Sequence, residues 1–154
     1  MPSNCFQIAI NQELGVIVIS FQGKIFPKDM VDLLGELFNH QDYRIDFPTV
    51  YDFSGSSAIG YQIDVMAFVK RLGEFRNTGS VHKRIGVIVK TPNQKFLINV
   101  FLKFASSFNL EIKVFDESSP CVAWMKESIE DQEKLSQLLK SNKEELARRL
   151  ESLA

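Results

Sequence analysis

The fold of this chain is decided by one stretch, Thr49-Val-Tyr-Asp-Phe-Ser-Gly-Ser-Ser-Ala-Ile-Gly60. Its first five residues, Thr49 to Phe53, carry mostly β-branched and aromatic side chains, which is typical of a short buried strand. The small and hydroxyl-bearing residues that follow predict a tight turn. A helix with one apolar face is expected from about Tyr61 to Arg76. The stretch is therefore a strand–turn–helix unit, and the chain after it repeats that unit.

The second unit begins with a predicted strand from Arg84 to Lys90. Lys83 and Arg84 are expected to form a solvated start to this strand or, alternatively, an anion contact. The strand lacks alternation, which indicates burial on both faces, as in a parallel sheet. Thr91 is placed to cap the next helix, which is expected from about Asn93 to Phe108. A fifth strand is predicted from Leu110 to Phe115.

The residues before the central stretch predict a β-hairpin and a helix. Phe6 to Ile10 and Val16 to Phe21 form its strands, and Gly15 is expected to take a positive φ in the turn. Gln22 and Gly23 are expected to end the second strand. A helix with Pro27 in its first turn should then run to about His40.

The last part of the chain predicts two more helices, a short one capped by Ser118 or Ser119 and a long amphipathic one from Glu130 onward. Leucines at near 3.6-residue spacing mark the apolar face of the long helix. Asn142 and Arg149 lie in that face and disfavour a long coiled coil. We therefore expect an α/β domain over 1–128 and a helical extension over 129–154, packed on the domain or on a partner subunit.

The predicted fold class is α/β, with a mixed, mostly parallel sheet of about five strands, flanking helices and the C-terminal amphipathic helix. A length of 154 residues with 45% hydrophobic side chains can bury a core without metal or disulfides. Cys5 and Cys121 are therefore expected to be free thiols. The net charge of -1 gives no basis for nucleic-acid binding. With no signal peptide and no membrane span in the sequence, we expect a cytoplasmic protein.

Polar side chains follow three of the predicted strands. Parallel strands end at the same edge of a sheet, where helix N-termini can hold an anion or another ligand. These residues are called the predicted rim; its candidate binding residues are Asp52, Ser54, Gly55, Ser56, Ser57, Thr91 and Asn93. Ser56 and Ser57 are also candidate phosphorylation sites. Alternatively, the serines only allow a tight bend and cap the helix.

Catalytic and metal-binding signals are weak in this sequence. Asp52 can serve as a metal ligand or an acid–base group, with Asp116 as its nearest acidic partner, or it can simply accept N–H bonds from the turn. His40 and His82 lie in polar segments without a nucleophile or a ligand set. We therefore predict no catalytic residues, no metal and no cofactor, and an enzyme using Asp52 is the least favoured function.

The helix after Thr91 has an apolar arc of roughly 200°, wider than one sheet face requires. Three partners can bury the excess: the C-terminal helix, a second subunit in a homodimer, or a lipid-like ligand in a groove. The residues predicted for this interface or groove are Leu97, Phe101, Phe104, Phe108, Leu139 and Leu146.

The order of elements and three motifs resemble the STAS (anti-sigma-factor antagonist) superfamily, and in particular its STAS/CRAL-TRIO-like branch. The motifs are Tyr51-Asp-Phe-Ser-Gly55, Arg84-Ile-Gly-Val-Ile-Val89 and Val114-Phe-Asp116 with the later Val122-Ala-Trp-Met125. The resemblance covers about Phe6 to Lys126.

This resemblance implies a non-enzymatic regulatory or binding module with a protein partner or a small ligand. Regulatory members carry an Asp-Ser-Ser-Gly turn whose first serine is phosphorylated, and this chain lacks the Asp-Ser pair there. The likeness to lipid-carrying CRAL-TRIO domains implies the alternative function, a carrier of a lipid or another apolar small molecule.

Overall fold

The computed structural model describes residues 5–76 and 81–153, and the elements below are named in chain order. The strands are Phe6–Asn11 (β1), Val16–Ile25 (β2), Thr49–Ala58 (β3), Lys83–Ile88 (β4) and Leu110–Phe115 (β5). The α-helices are Pro27–Phe38 (α1), Gln62–Phe75 (α2), Pro92–Leu102 (α3), Ser118–Met125 (α4) and Ile129–Ser152 (α5).

The five strands form one sheet in the order β1-β2-β3-β4-β5. β1 and β2 pair antiparallel, as a hairpin whose turn ends at Gly15 with a φ of 62°. The other three pairings are parallel. The predicted fold class, a mixed and mostly parallel α/β sheet with a long C-terminal helix, is confirmed.

The order of the strands decides which face each helix covers. Right-handed crossovers that advance in one direction place their helices on a single face of the sheet. Accordingly α1, α2 and α3 share one face, here called the three-helix face, over sheet residues such as Tyr51, Val87 and Ile112. α4 and α5 cover the opposite face, here called the two-helix face, over Val50 and Ile88.

α5 lies along β1 and β2 and against α4. Leu135, Leu139 and Leu146 of its leucine face are buried there. The two polar residues in that face also bind the sheet. Asn142 Nδ2 donates to the carbonyl of Gln7 at 2.9 Å and to Ser20 Oγ at 3.0 Å, and Arg149 Nη2 donates to the carbonyl of Phe6 at 2.5 Å. These bonds fix the position of α5 along the hairpin.

β3 does not end at Phe53 as predicted but continues to Ala58, so the predicted serine turn is wrong. The predicted end of β2 at Gln22 and Gly23 is wrong for the same reason, since both strands extend as a parallel pair. Ser20 lies opposite Asp52 while Gln22 lies opposite Gly55, so β3 contains one extra residue, a β-bulge.

α3 is shorter than predicted, because it ends at Leu102 and not at Phe108. A 3-10 turn over Ala105–Phe108 follows, and Asn109 leaves it with a φ of 56° in the left-handed region. Asparagine tolerates that conformation better than most residues, so Asn109 turns the chain into β5. Across the described residues, no helix is both long enough and apolar enough to cross a bilayer.

α4 lies unusually close to β4. An added Cβ at Gly86 would lie 2.6 Å from Cys121 Sγ, which no real contact allows. Cys121 is a free thiol and is buried, and burial, with a smaller contribution from Asp52, raises its pKa to about 12. The close approach therefore depends on the absence of a side chain at Gly86 and on a small neutral one at Cys121.

We expect Gly86→Ala to lower the free energy of unfolding by about 1–3 kcal/mol, because the new methyl group overpacks the contact with Cys121. Urea denaturation measures this change. Gly35→Ala in α1 is the matched control: an added Cβ there meets no atom within 4 Å, so this variant should be neutral or more stable. Equal stability of the Gly86→Ala variant and the wild type would contradict the close packing of α4.

Candidate functional site

A cavity of about 170 Å³ lies inside the three-helix face, between the sheet and α1, α2 and α3. Its floor is formed by alternate residues of the parallel strands, and its walls are apolar side chains of the three helices. The principal lining residues are Met30, Leu34, Tyr51, Phe53, Val65, Phe68, Leu72, Ile85, Val87, Val89, Leu97, Ile98, Phe101 and Ile112. A cavity of similar size lined by apolar side chains can bind a benzene-sized molecule.

Gln94 holds the carboxyl edge of the sheet, where the parallel strands end, next to the cavity. Its buried side chain donates from Nε2 to the carbonyls of Phe53, at 3.0 Å, and Ser56, at 2.8 Å. Its Oε1 accepts from the backbone N–H of Lys90 at 2.7 Å and of Thr91 at 3.1 Å. Gln94 therefore joins the bulge of β3 to the start of α3 and fixes the distance between them.

Apolar side chains surround the cavity at the carboxyl edge and are partly open to solvent. Phe26, which precedes α1, is 48% exposed, and Ile59, which follows β3, is 43% exposed. Both also line the cavity. Large exposed apolar side chains next to an apolar cavity mark the side from which a ligand can enter it.

The opposite end of the cavity, where β4 and β5 begin, is cationic. Arg76 and Lys83 line it and are only 2% and 5% exposed. Arg76 Nε donates to the carbonyl of Phe108 at 2.9 Å, and its Nη2 donates to the carbonyl of Val81. Lys83 Nζ lies 5.1 Å from the centre of the Tyr43 ring, within the range of a cation–π contact.

Burial shifts the pKa of four groups that line the cavity. It lowers the pKa of Lys83 to about 7; repulsion by Arg76 adds to that shift, and Asp46 opposes it. Burial also lowers the pKa of Arg76, and it raises the pKa of Tyr43 to about 12. The pKa of Tyr51 is raised for the same reason. Perturbed groups that converge on a cavity are typical of functional sites.

Sequence reasoning missed this cationic end, although two signals were present. A solvated strand start was favoured for Lys83 over an anion contact, yet Lys83 alternates with Ile85 and Val87 and so faces the same helices. Arg76 follows Leu72 by four residues and continues the buried face of α2. A third signal, the Thr91-x-x-Gln94 pattern of a capping box, pointed to Gln94.

Part of the predicted rim does form a polar pocket, on the two-helix face at the carboxyl edge. Ser54 accepts a 2.6 Å hydrogen bond from Lys143 Nζ of α5. Asp52 is buried, and its Oδ1 accepts from the backbone N–H of Ser54 at 2.9 Å. The pocket is completed by Ile88, Lys90, Glu117, Ser118, Ser119, Ser136, Leu139 and Lys140.

The other predicted rim residues do not line that pocket. Thr91 caps α3 by accepting from the N–H of Gln94 at 3.1 Å, and Asn93 Nδ2 donates to the carbonyl of Ala58 at 2.7 Å. Ser56 Oγ donates to the carbonyl of Phe53 at 2.8 Å. Ser57 and Gly55 are exposed within β3. The bulge and the longer β3 thus divide the rim between the two faces of the sheet.

The predicted groove between α3 and α5 is wrong. Leu97 and Phe101 of α3 line the cavity, and Phe104 and Phe108 belong to the core of the three-helix face. Leu139 and Leu146 are buried on the two-helix face, where α5 packs. Because the sheet separates the two sets, α5 cannot cover α3. The excess apolar arc of α3 instead faces α2 and the cavity.

The described residues contain no group of three or more His, Cys, Asp and Glu side chains arranged to hold a metal. Asp116 accepts from Lys90 Nζ through its carbonyl, and it does not line the pocket that contains Asp52. His82 Nε2 lies 3.5 Å from Glu111 Oε1, and His40 Nδ1 accepts from the N–H of Asp42 at 3.1 Å.

Lys83 should make stability depend on pH. Between its pKa of about 7 in the folded chain and its usual value of 10.5, the unfolded chain binds one more proton than the folded chain. Stability therefore rises with pH in that window, by up to about 1.4 kcal/mol per pH unit, and is lowest below pH 7. We expect the stability of the wild type minus that of Lys83→Met to rise from pH 7 to pH 10 in urea titrations. A stability difference that does not change between pH 7 and pH 10 would contradict a buried Lys83 with a lowered pKa.

No protein-family model and no curated protein matches this sequence. A solved structure does match: an uncharacterised protein of the DUF3478 family from Shewanella loihica PV-4, which has a SpoIIAA-like fold. The TM-score is 0.52 and the identity 18%, over 82% of this chain and 99% of the other. At this identity the likeness shows the fold alone. The chain therefore has a SpoIIAA-like fold, the fold of the STAS superfamily, as its motifs predicted.

Proposed function

We propose that this protein is a non-enzymatic binding module that holds an apolar small molecule inside its three-helix face. The observation that carries the proposal is the cavity of about 170 Å³ between the sheet and α1, α2 and α3. Native cores are packed as densely as organic crystals and leave few voids larger than a water molecule. An apolar cavity of this size with exposed apolar side chains at one end therefore favours a ligand site.

The contrast between the two faces of the sheet supports this proposal. On the two-helix face, Leu135 and Leu139 of α5 and Val122 of α4 pack directly on Val18 and Val50. On the three-helix face, the aromatic rings stand around the cavity instead. Phe68 and Phe101 meet edge to face across α2 and α3, with ring centres 5.7 Å apart.

Filling the cavity should abolish binding of a neutral apolar probe such as octan-1-ol. We expect Val65→Trp, on the cavity side of α2, to weaken octan-1-ol binding at least about tenfold, because the indole occupies space that the probe needs. Isothermal titration calorimetry measures the affinity, and circular dichroism checks that the variant is folded.

The matched control is Ile63→Trp, two residues away on the same helix, where the side chain is 76% exposed and does not line the cavity. It should bind the probe as the wild type does. Absence of octan-1-ol binding to the wild type, or equal weakening in both variants, would contradict the proposed site.

The polar pocket on the two-helix face favours a second candidate function, recognition of an anionic group at the rim. Lys90, Lys140 and Lys143 surround Ser54 there, next to the N-terminus of α4. Lysine ammonium groups and helix N-termini both favour bound anions. A phosphorylated partner or a phosphorylated serine of this chain would supply such an anion.

Inorganic phosphate tests this second function. We expect it to shift the amide resonances of Ser54, Ser118 and Ser119 in ¹H–¹⁵N NMR spectra, and Lys143→Met to weaken its binding about two- to fivefold. Lys134→Met, on the same helix but paired with Glu130, is the control and should have no effect. The absence of resonance shifts at Ser54, Ser118 and Ser119 would argue against an anion site. Equal weakening of phosphate binding by Lys143→Met and Lys134→Met would do the same.

A further inference from the structure

We propose that the ligand of the cavity is an apolar monocarboxylic acid, whose carboxylate is bound by Arg76, Lys83 and Tyr43. This inference rests on the proposed binding function and adds the chemical class of the ligand. Its basis is the composition of the cavity, which is apolar along its length and cationic at the end where β4 begins.

Two buried donors at the cationic end have no hydrogen-bond partner among the described residues. They are Arg76 Nη1 and the hydroxyl of Tyr43, and both side chains line the cavity. Leaving a buried polar group unsatisfied is costly, and the cost is larger for a charged group. The carbonyls of Phe108 and Val81 account for Nε and Nη2 of Arg76, but nothing in the described chain accounts for Nη1. An acceptor on a bound ligand would satisfy these donors.

The charges at this end are also unbalanced. None of the ion pairs formed by the described residues includes Arg76 or Lys83. Within residues 5–76 and 81–153, Asp46 is the one carboxylate that acts on Lys83, and it lies in an exposed segment. Burial is the main cause of the lowered pKa of Lys83, and repulsion by the neighbouring Arg76 cation adds to it. A buried anion between them would remove both the repulsion and the unmet hydrogen bonds.

The number of donors favours a carboxylate over a phosphate. Arg76 Nη1 has two N–H groups, and the Tyr43 hydroxyl and the Lys83 ammonium add their own. These donors suffice for the two oxygens of a planar carboxylate. A phosphate group would bring three or four oxygens and a larger charge into an end that is otherwise lined by Leu110 and Leu72.

The position of the cations sets the orientation of the ligand. From Lys83 to Val89 the cavity follows β4 and the residue after it, a span of six residue steps or roughly 20 Å at the usual rise of a strand. A carboxylate at Lys83 therefore places the apolar body beneath Phe68, Ile98 and Phe101, pointing toward the open end. This arrangement suits a medium-chain or aryl-substituted acid.

Matched acid and alcohol pairs test the inference by calorimetry at pH 6.5. We expect octanoate to bind the wild type at least about tenfold more tightly than octan-1-ol, or 3-phenylpropionate to exceed 3-phenylpropan-1-ol similarly, because charge-assisted hydrogen bonds strengthen only the acid. The Lys83→Met variant should lose this preference, while its affinity for the alcohol should stay within about twofold of the wild-type value. The side-chain ¹⁵Nε resonance of Arg76 should shift with the acid and not with the alcohol.

Lys134→Met, which removes a cation of α5 that lines neither pocket, is the control and should keep the preference for the acid. If both alcohols bind the wild type as tightly as their acids, or if Lys83→Met keeps the preference, the carboxylate assignment is overturned and the proposed binding function stands. If neither acid nor alcohol of either pair binds, the proposed function fails together with this inference.

Discussion

The buried side chain of Gln94 connects the carboxyl edge of the sheet to α3 through four hydrogen bonds to the backbone. They join the carbonyls of Phe53 and Ser56 in β3 to the backbone N–H groups of Lys90 and Thr91 before α3. A buried amide that uses both its donor and its acceptor groups is rigid and specific in geometry. It fixes the start of α3 relative to β3, and with it one end of the space between α3 and the sheet. The cavity depends on this spacing.

The one-directional order of the strands explains why the cavity lies where it does. All three crossover helices, of 11 to 14 residues each, cover one face of the sheet. The other face is covered by α4 and the long α5, whose leucines and polar bonds pack closely on the hairpin. The apolar cavity thus lies on the three-helix face, whereas the pocket of the two-helix face is polar and lies at the carboxyl edge.

The sequence was sufficient to predict the elements and the sheet, because strand and helix periodicity depend on local side-chain patterns. It failed at the serine stretch after Phe53, since serine and glycine are turn formers and only the parallel partner strand Gln22–Ile25 keeps them extended. It also offered α5 as one of three possible partners of α3, because an amphipathic pattern shows that a helix needs a partner but not which face of the sheet the helix covers. Arg76 and Lys83 were missed because a charged residue is normally expected in water.

The three-helix face contains an apolar cavity, whereas the pocket of the two-helix face is lined mainly by charged and hydroxyl side chains. Xenon binds apolar cavities without needing any specific contact, so diffraction from crystals pressurised with xenon tests this claim most directly. We predict xenon between Val87 of β4 and the rings of Phe68 and Phe101, and none between the sheet and α5. Side chains filling that space with no xenon bound, or xenon bound only beneath α5, would contradict the account.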